Sequence, residues 1–179
     1  MGIDLKAGGR MKQRNMREAK TSNVYHRLLI KLFEFLSRRG ESKFAPTVLK
    51  RLNMSRVNRY PMSLSRVAKN LKNKEDKVAV CVCSVVDDNR MLTIPKMTVC
   101  AMRFTEVARQ RILAAGGQCL TLDQLVMKSP TGNGTLLMRG PKSRESLSHF
   151  GRAPGTKHAR TKPYLIGKKS RNTERGRKG

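Results

Sequence analysis

The chain reads as an α/β protein, with N-terminal amphipathic helices followed by a small, mostly parallel sheet with flanking helices, and with basic extended segments at both ends. Three observations predict this. Leucine-rich stretches between residues 23 and 72 repeat at helical spacing. From Val78 onward the period changes, and short apolar runs alternate with short helical patterns. Charge is also unevenly placed. Residues 1–22 carry net +4, residues 23–77 net +10, residues 78–138 only +2, and residues 139–179 net +11.

The segmentation follows from these shifts. Residues 1–22 have no apolar periodicity and read as a basic N-terminal arm. Residues 23–138 read as the core domain. Residues 139–179, rich in Gly, Pro and bases, read as a C-terminal extension with little core of its own.

In the first helix Tyr25, Leu28, Leu29, Leu32 and Leu36 form the apolar stripe, with Ser22 or Asn23 as cap and Gly40 as stop. In the second, Ser42 is the expected cap, Pro46 falls in the first turn, and Phe44, Val48 and Leu52 share a face. Ser63 precedes a third helix with Leu64, Val67, Ala68 and Leu71 inward. Val78 to Val86 is apolar except for Ser84, as a strand buried on both faces would be. Met97 to Met102 reads as a second strand. Thr105 opens a helix through Leu113, closed by Gly116-Gly117. A short strand from Cys119 to Leu122, a helical turn from Asp123 to Lys128 and a strand from Thr135 to Met138 complete the core.

Function begins with charge. The 39 Lys and Arg face 12 Asp and Glu, for a net charge of +27. A compact chain so charged repels itself unless a polyanion neutralises it. Nucleic acid does so phosphate by phosphate, releasing counterions. No apolar run is long enough to span a bilayer, and the bases are not paired with an aromatic amphipathic face, so no membrane partner is expected. The charged N-terminus reads as no signal peptide, and Lys6 stands where a myristoylation motif wants Ser or Thr. Only 4% of residues are aromatic, which argues against stacking on single strands as the main mode and for folded RNA bound through phosphates and shape.

The candidate RNA-binding residues are therefore bases, with two histidines. In the arm they are Lys6, Arg10, Lys12, Arg14, Arg17 and Lys20. Along the helices and their loops they are Arg38, Arg39, Lys43, Lys50, Arg51, Arg56, Arg59 and Arg66. In the extension they are Arg139, Lys142, Arg144, His149, Arg152, Lys157, His158, Arg160 and Lys162, then Lys168, Lys169, Arg171, Arg175 and Arg177. The last group doubles as a candidate nuclear localisation signal.

Catalytic chemistry finds no support. Cys81, Cys83, Cys100 and Cys119 lack the spacing of a zinc site and read as small apolar side chains. Gly151-Arg152-Ala153-Pro154-Gly155-Thr156-Lys157 has the residues of a phosphate loop in the wrong order and with no following helix. His26, His149 and His158 form no positioned pair. Asp87-Asp88 and Glu75-Asp76 read as solvated turn and linker carboxylates. No cofactor, metal or small-molecule substrate is expected. The rivals are a basic nuclease, which would turn over RNA with divalent metal, and a chromatin-type packing protein.

Short stretches in fixed order add a resemblance. They include Met1-Gly2-Ile3-Asp4, Asn23-Val24-Tyr25, Val48-Leu49-Lys50-Arg51-Leu52, Met54-Ser55-Arg56, Ser63-Leu64-Ser65-Arg66, Arg139-Gly140-Pro141, His149-Phe150-Gly151 and Thr161-Lys162-Pro163-Tyr164. With these the chain resembles the eukaryotic large-subunit ribosomal protein family numbered eighteen, relatives of bacterial ribosomal protein fifteen. Asn53, where that family usually has an aromatic, and Arg160, where it usually has a histidine, are departures. The resemblance implies an α/β core held among ribosomal RNA helices, ends threading into RNA, neighbouring ribosomal proteins as partners and no catalysis. It also implies a cytoplasmic ribosome as the location, with assembly in a nucleolus.

Overall fold

The computed structural model describes residues 18–163, apart from residues 75 and 143. They fall into two compact units that divide after Pro141. The first is an α/β layer structure, as its pattern predicts. Its elements run α1 (Val24–Arg39), α2 (Phe44–Leu52), a single 3-10 turn (Arg56–Asn58), β1 (Met62–Ser63), α3 (Leu64–Leu71), β2 (Val78–Val86), β3 (Thr98–Phe104), α4 (Glu106–Ala114), β4 (Gln118–Leu120), α5 (Leu122–Lys128) and β5 (Thr135–Met138).

β2 is the centre of the sheet. On one side it pairs with β3, which in turn pairs with β4. Its other edge is shared. β5 lies beside Val78–Cys81 and β1 beside Val85–Val86. All four pairings are parallel. The apolar run 78–86 follows from this position, since both faces of β2 lie under apolar layers. β1 has no counterpart in the sequence reading. It makes the third helix the crossover of a β1-α3-β2 unit rather than a member of an N-terminal helical set.

Side chains alternate across the sheet with period two. Ala79, Cys81 and Val85 of β2 join Val99 and Ala101 of β3 under α3 and α4. Val80 and Val82 join Cys100 on the opposite face, under α1, α2 and α5. The cysteines behave as small apolar groups here. Cys81, Cys83 and Cys100 are buried, whereas Cys119 on the outer strand is only partly so. Burial pushes the Cys100 thiol up to about 12.

Several local expectations need correction. α1 does not bury Tyr25 and Leu28, which are 80% and 56% exposed; it buries His26 and Phe33, with Leu29, Ile30 and Leu36 packed beside them. Apolar residues cover so much of this helix that periodicity alone does not choose the sector. The largest contiguous fit, centred on Phe33, decides. Asn23 does cap α1, its side chain accepting from the backbone N–H groups of Tyr25 and His26. Ser42 precedes α2 by two residues, yet its hydroxyl still accepts from the Phe44 N–H at 3.1 Å. The fourth strand ends at Leu120 because Thr121 and Gln124 form a capping box that starts α5.

The acidic pair Asp87-Asp88 is not solvated. Asp88 is 8% exposed and accepts from the Ser65 hydroxyl at 2.5 Å and from Arg90 Nε at 2.9 Å. Those bonds hold its carboxyl well below the usual range. Asp87 accepts from Arg111 Nη1 at 2.5 Å. Arg111 also reaches the carbonyl oxygens of Met91 and Leu92, so it ties α4 to the loop after β2. These carboxylates neutralise two arginines and close a loop.

Two outcomes test this packing. Phe33→Ala should cost about 3–5 kcal/mol in urea unfolding, and Tyr25→Ala less than about 0.5 kcal/mol; the reverse order would mean α1 is rotated. In a thiol-reagent titration of the native chain, Cys119 should react first, with the other three reacting only on unfolding. Simultaneous reaction of all four in the folded state would contradict the burial.

Candidate nucleic-acid interface

Helix ends account for part of the cation distribution. The last turns of α1, α2, α3, α4 and α5 carry Arg38 and Arg39, Lys50 and Arg51, Lys69, Arg111 and Lys128 respectively. Each complements the partial negative charge of its helix C-terminus. That stabilisation leaves the outward-facing charge unneutralised. Among the candidates, Lys20, Arg38, Arg39, Lys43, Lys50, Arg56 and Arg66 are exposed in the first unit and have no acidic partner among the described residues.

A denser cluster forms where the sheet edge is open. β5 stops at Met138 and β1 begins at Met62, so neither covers β2 opposite Val82 and Cys83. Arg51, Arg59, Arg139 and Tyr60 gather around that gap. Arg51 Nη1 donates to the Met138 carbonyl at 2.5 Å. The Arg139 guanidinium lies over the Tyr60 ring, 5.3 Å from its centroid, and donates to the Asn58 carbonyl at 3.3 Å. Gly140 fixes this arrangement, because a Cβ there would meet the carbonyl oxygens of Tyr60 and Pro61. Desolvation by burial lowers the proton affinity of Arg51 and Arg59, and the neighbouring cations Arg139 and Arg56 add to it. Both guanidiniums nevertheless stay charged at any ordinary pH. Three arginines thus converge with no carboxylate between them.

Beside this cluster a cleft of about 580 Å³ opens at the C-terminal ends of β2 and β3. The first turn of α1, Arg56 of the 3-10 turn and Arg59 line it, together with Met102 and Arg103 of β3. Arg103, Tyr25 and His26 were missed as site residues by sequence reasoning. Arg103 did leave a signal, being the one charged residue of β3, at the carboxyl end of a parallel strand. His26 stands in the first turn of α1 and is 7% exposed, its Nε2 3.2 Å from the Leu52 carbonyl. Burial, reinforced by Arg59, lowers its pKa and keeps it neutral.

The second unit has its own short helix, α6 (Glu145–Ser148), which the sequence did not suggest. His149 Nδ1 lies 2.7 Å from the Lys162 carbonyl, and the Lys162 backbone N–H donates to Ser148 at 2.8 Å. Lys162 Nζ is 2.7 Å from the Glu145 carboxylate. Two candidates, His149 and Lys162, are therefore engaged in holding a loop closed. Lys142, Arg144, Arg152, Lys157, His158 and Arg160 are exposed. The Gly151–Lys157 segment consists mostly of bends and turns, and no helix follows it among the described residues, so it lacks the geometry of a nucleotide phosphate loop. Lys6, Arg10, Lys12, Arg14, Arg17, Lys168, Lys169, Arg171, Arg175 and Arg177 lie outside the described residues.

Comparison with known proteins matches this sequence to a family. A family model described as ribosomal protein 60S L18 and 50S L18e matches residues 2–179. A Tetrahymena thermophila protein named large ribosomal subunit protein eL18 is 53% identical over 167 residues, 92% of each chain. An Arabidopsis thaliana protein, large ribosomal subunit protein eL18z, is 52% identical over 92% of this chain and 89% of its own. A Cicer arietinum eL18 is 49% identical over 97% of this chain and 94% of its own. The chain therefore belongs to the large-subunit ribosomal protein family of 60S L18 and 50S L18e, as a structural protein and not an enzyme.

Proposed function

We propose that this protein is a constituent of the large subunit of a cytoplasmic ribosome that binds and stabilises folded rRNA through phosphate contacts, with neighbouring ribosomal proteins as further partners. The observation that carries the reading is the gathering of Arg51, Arg59 and Arg139 with no acidic side chain among them. A guanidinium withdrawn from water needs an anion, and its planar fork fits a phosphate. The acids the fold does hold inside, Asp87 and Asp88, are already committed to Arg111 and Arg90. The remaining charge has to come from outside, and folded RNA supplies it at regular spacing. The rigid sheet fixes where the cations stand, so the RNA strands they join are held at fixed separation.

The exposed bases of the helix ends and of the second unit extend the contact. The basic runs around Lys168-Lys169 and Arg175-Gly176-Arg177 belong to the same proposal. They serve as rRNA contacts and as a signal for import to a nucleolus, where assembly would begin.

Counterion release gives the test. Each phosphate neutralised adds roughly 0.7–0.9 to the slope of log affinity against log salt. Arg38, Arg39 and Lys43 are exposed, so replacing all three with Gln should leave folding intact. The expected result with a large-subunit rRNA fragment is a slope flatter by about 2–3 units over a potassium series. A slope unchanged from the parent chain would show that these bases face solvent in the complex.

A further inference from the structure

We propose that the cleft at the C-terminal ends of β2 and β3 receives one unpaired nucleotide extruded from the bound RNA, its phosphate held by Arg56, Arg59 and Arg103 and its base set against Tyr25 and Leu29. The inference rests on the RNA-binding reading and deepens it.

Residues of the cleft carry polar atoms that the protein itself leaves unpaired. Among the described residues three buried side-chain atoms lack a hydrogen-bond partner, and two of them, His26 Nδ1 and Arg59 Nε, belong to residues on this one cleft. Arg59 Nη1 meets only the Met102 sulfur, at 3.3 Å, which is a weak acceptor. No carboxylate lines the cleft. A nucleotide phosphate supplies the anion that the exposed Arg56 and Arg103 and the half-buried Arg59 lack.

Size and wall chemistry select a nucleotide over a bare phosphate. The volume of about 580 Å³ is far more than one phosphate fills, and lies within the roughly 300–1,000 Å³ of small-molecule sites. Leu29 and Met102 supply apolar wall, and the Tyr25 ring at the rim is 80% exposed. An aromatic face left in water beside a cationic pocket is the arrangement on which splayed RNA bases stack. A paired strand presents its phosphates on a convex surface and keeps its bases inside, so it reaches the rim and no further. Position agrees, since open parallel sheets place ligands beyond the carboxyl ends of their strands, and the α1 N-terminus adds its partial positive charge.

The test uses the full chain and two RNA duplexes of equal length, one fully paired and one with a single-nucleotide bulge. At one potassium concentration the bulged duplex should bind about tenfold more tightly. Arg56 and Arg103 are exposed, so the R56Q/R103Q variant folds. It should bind both duplexes within twofold of each other, and Tyr25→Ala should likewise lose most of the preference. Equal binding of the two duplexes by the parent chain, or a preference that survives R56Q/R103Q, overturns the proposal while leaving RNA binding intact. Failure to bind either duplex overturns the RNA reading itself. If a glutamate-rich peptide, and not the bulged RNA, loses affinity in R56Q/R103Q, the cleft takes a protein partner and the proposal fails.

Discussion

Val78–Val86 has two short strands on one edge, and between them they do not cover it. β5 accounts for the first four residues and β1 for the last two. The rest of the first unit depends on how that edge is completed. Among the described residues β2 is the only strand that pairs with three others, and both apolar layers are built on its alternate side chains. Opposite Val82 and Cys83 the edge is finished by Tyr60 and by three arginines rather than by a strand. Arg51 donates to the Met138 carbonyl, Arg139 lies over the Tyr60 ring and donates to the Asn58 carbonyl, and Arg59 Nη1 meets the Met102 sulfur. The same gap that would weaken the sheet thereby places a cationic cluster beside its central strand.

Placing cations there has a consequence for stability. Burial penalises the charged forms of Arg51 and Arg59, and repulsion from Arg139 on the first and from Arg56 on the second adds to it. Internal carboxylates would relieve it, as Asp88 does for Arg90 and Asp87 for Arg111. The fold withholds acids from the first cluster and supplies them to the second. This contrast separates cations that close loops from cations with no carboxylate partner among the described residues. Residues 78–138, which supply four of the five strands, carry net +2, whereas residues 23–77, which supply α1, α2, β1 and α3 of the same unit, carry net +10.

Much of this was legible in the residues. The apolar run 78–86 announced a strand enclosed on both faces, and the alternation after it announced a parallel sheet. Long-range pairings were not legible. Met62-Ser63 is a strand only because Val85-Val86 lies beside it, and two residues carry no period. The buried sector of α1 was ambiguous because apolar residues flank Phe33 on both sides of the helix. The basic character of Arg51, Arg56, Arg59 and Arg139 was plain, but which of them meet is set by where β5 stops and β1 starts. Arg103 and His26 were overlooked for the same reason. A lone base at the end of an apolar strand and a lone histidine on a helix acquire meaning only when the fold brings them to one cleft.

The central claim is that the uncompensated charge of this chain is matched to a large ribosomal subunit rather than to nucleic acid at large. Sedimentation tests it most directly. A tagged form of the full chain, expressed in a eukaryotic cell, is followed through a sucrose gradient run at high salt, where loosely held basic proteins are stripped from RNA. The account predicts that the chain migrates with free large subunits and with assembled ribosomes, in constant ratio to large-subunit rRNA. Recovery at the top of the gradient, or with chromatin, would contradict it.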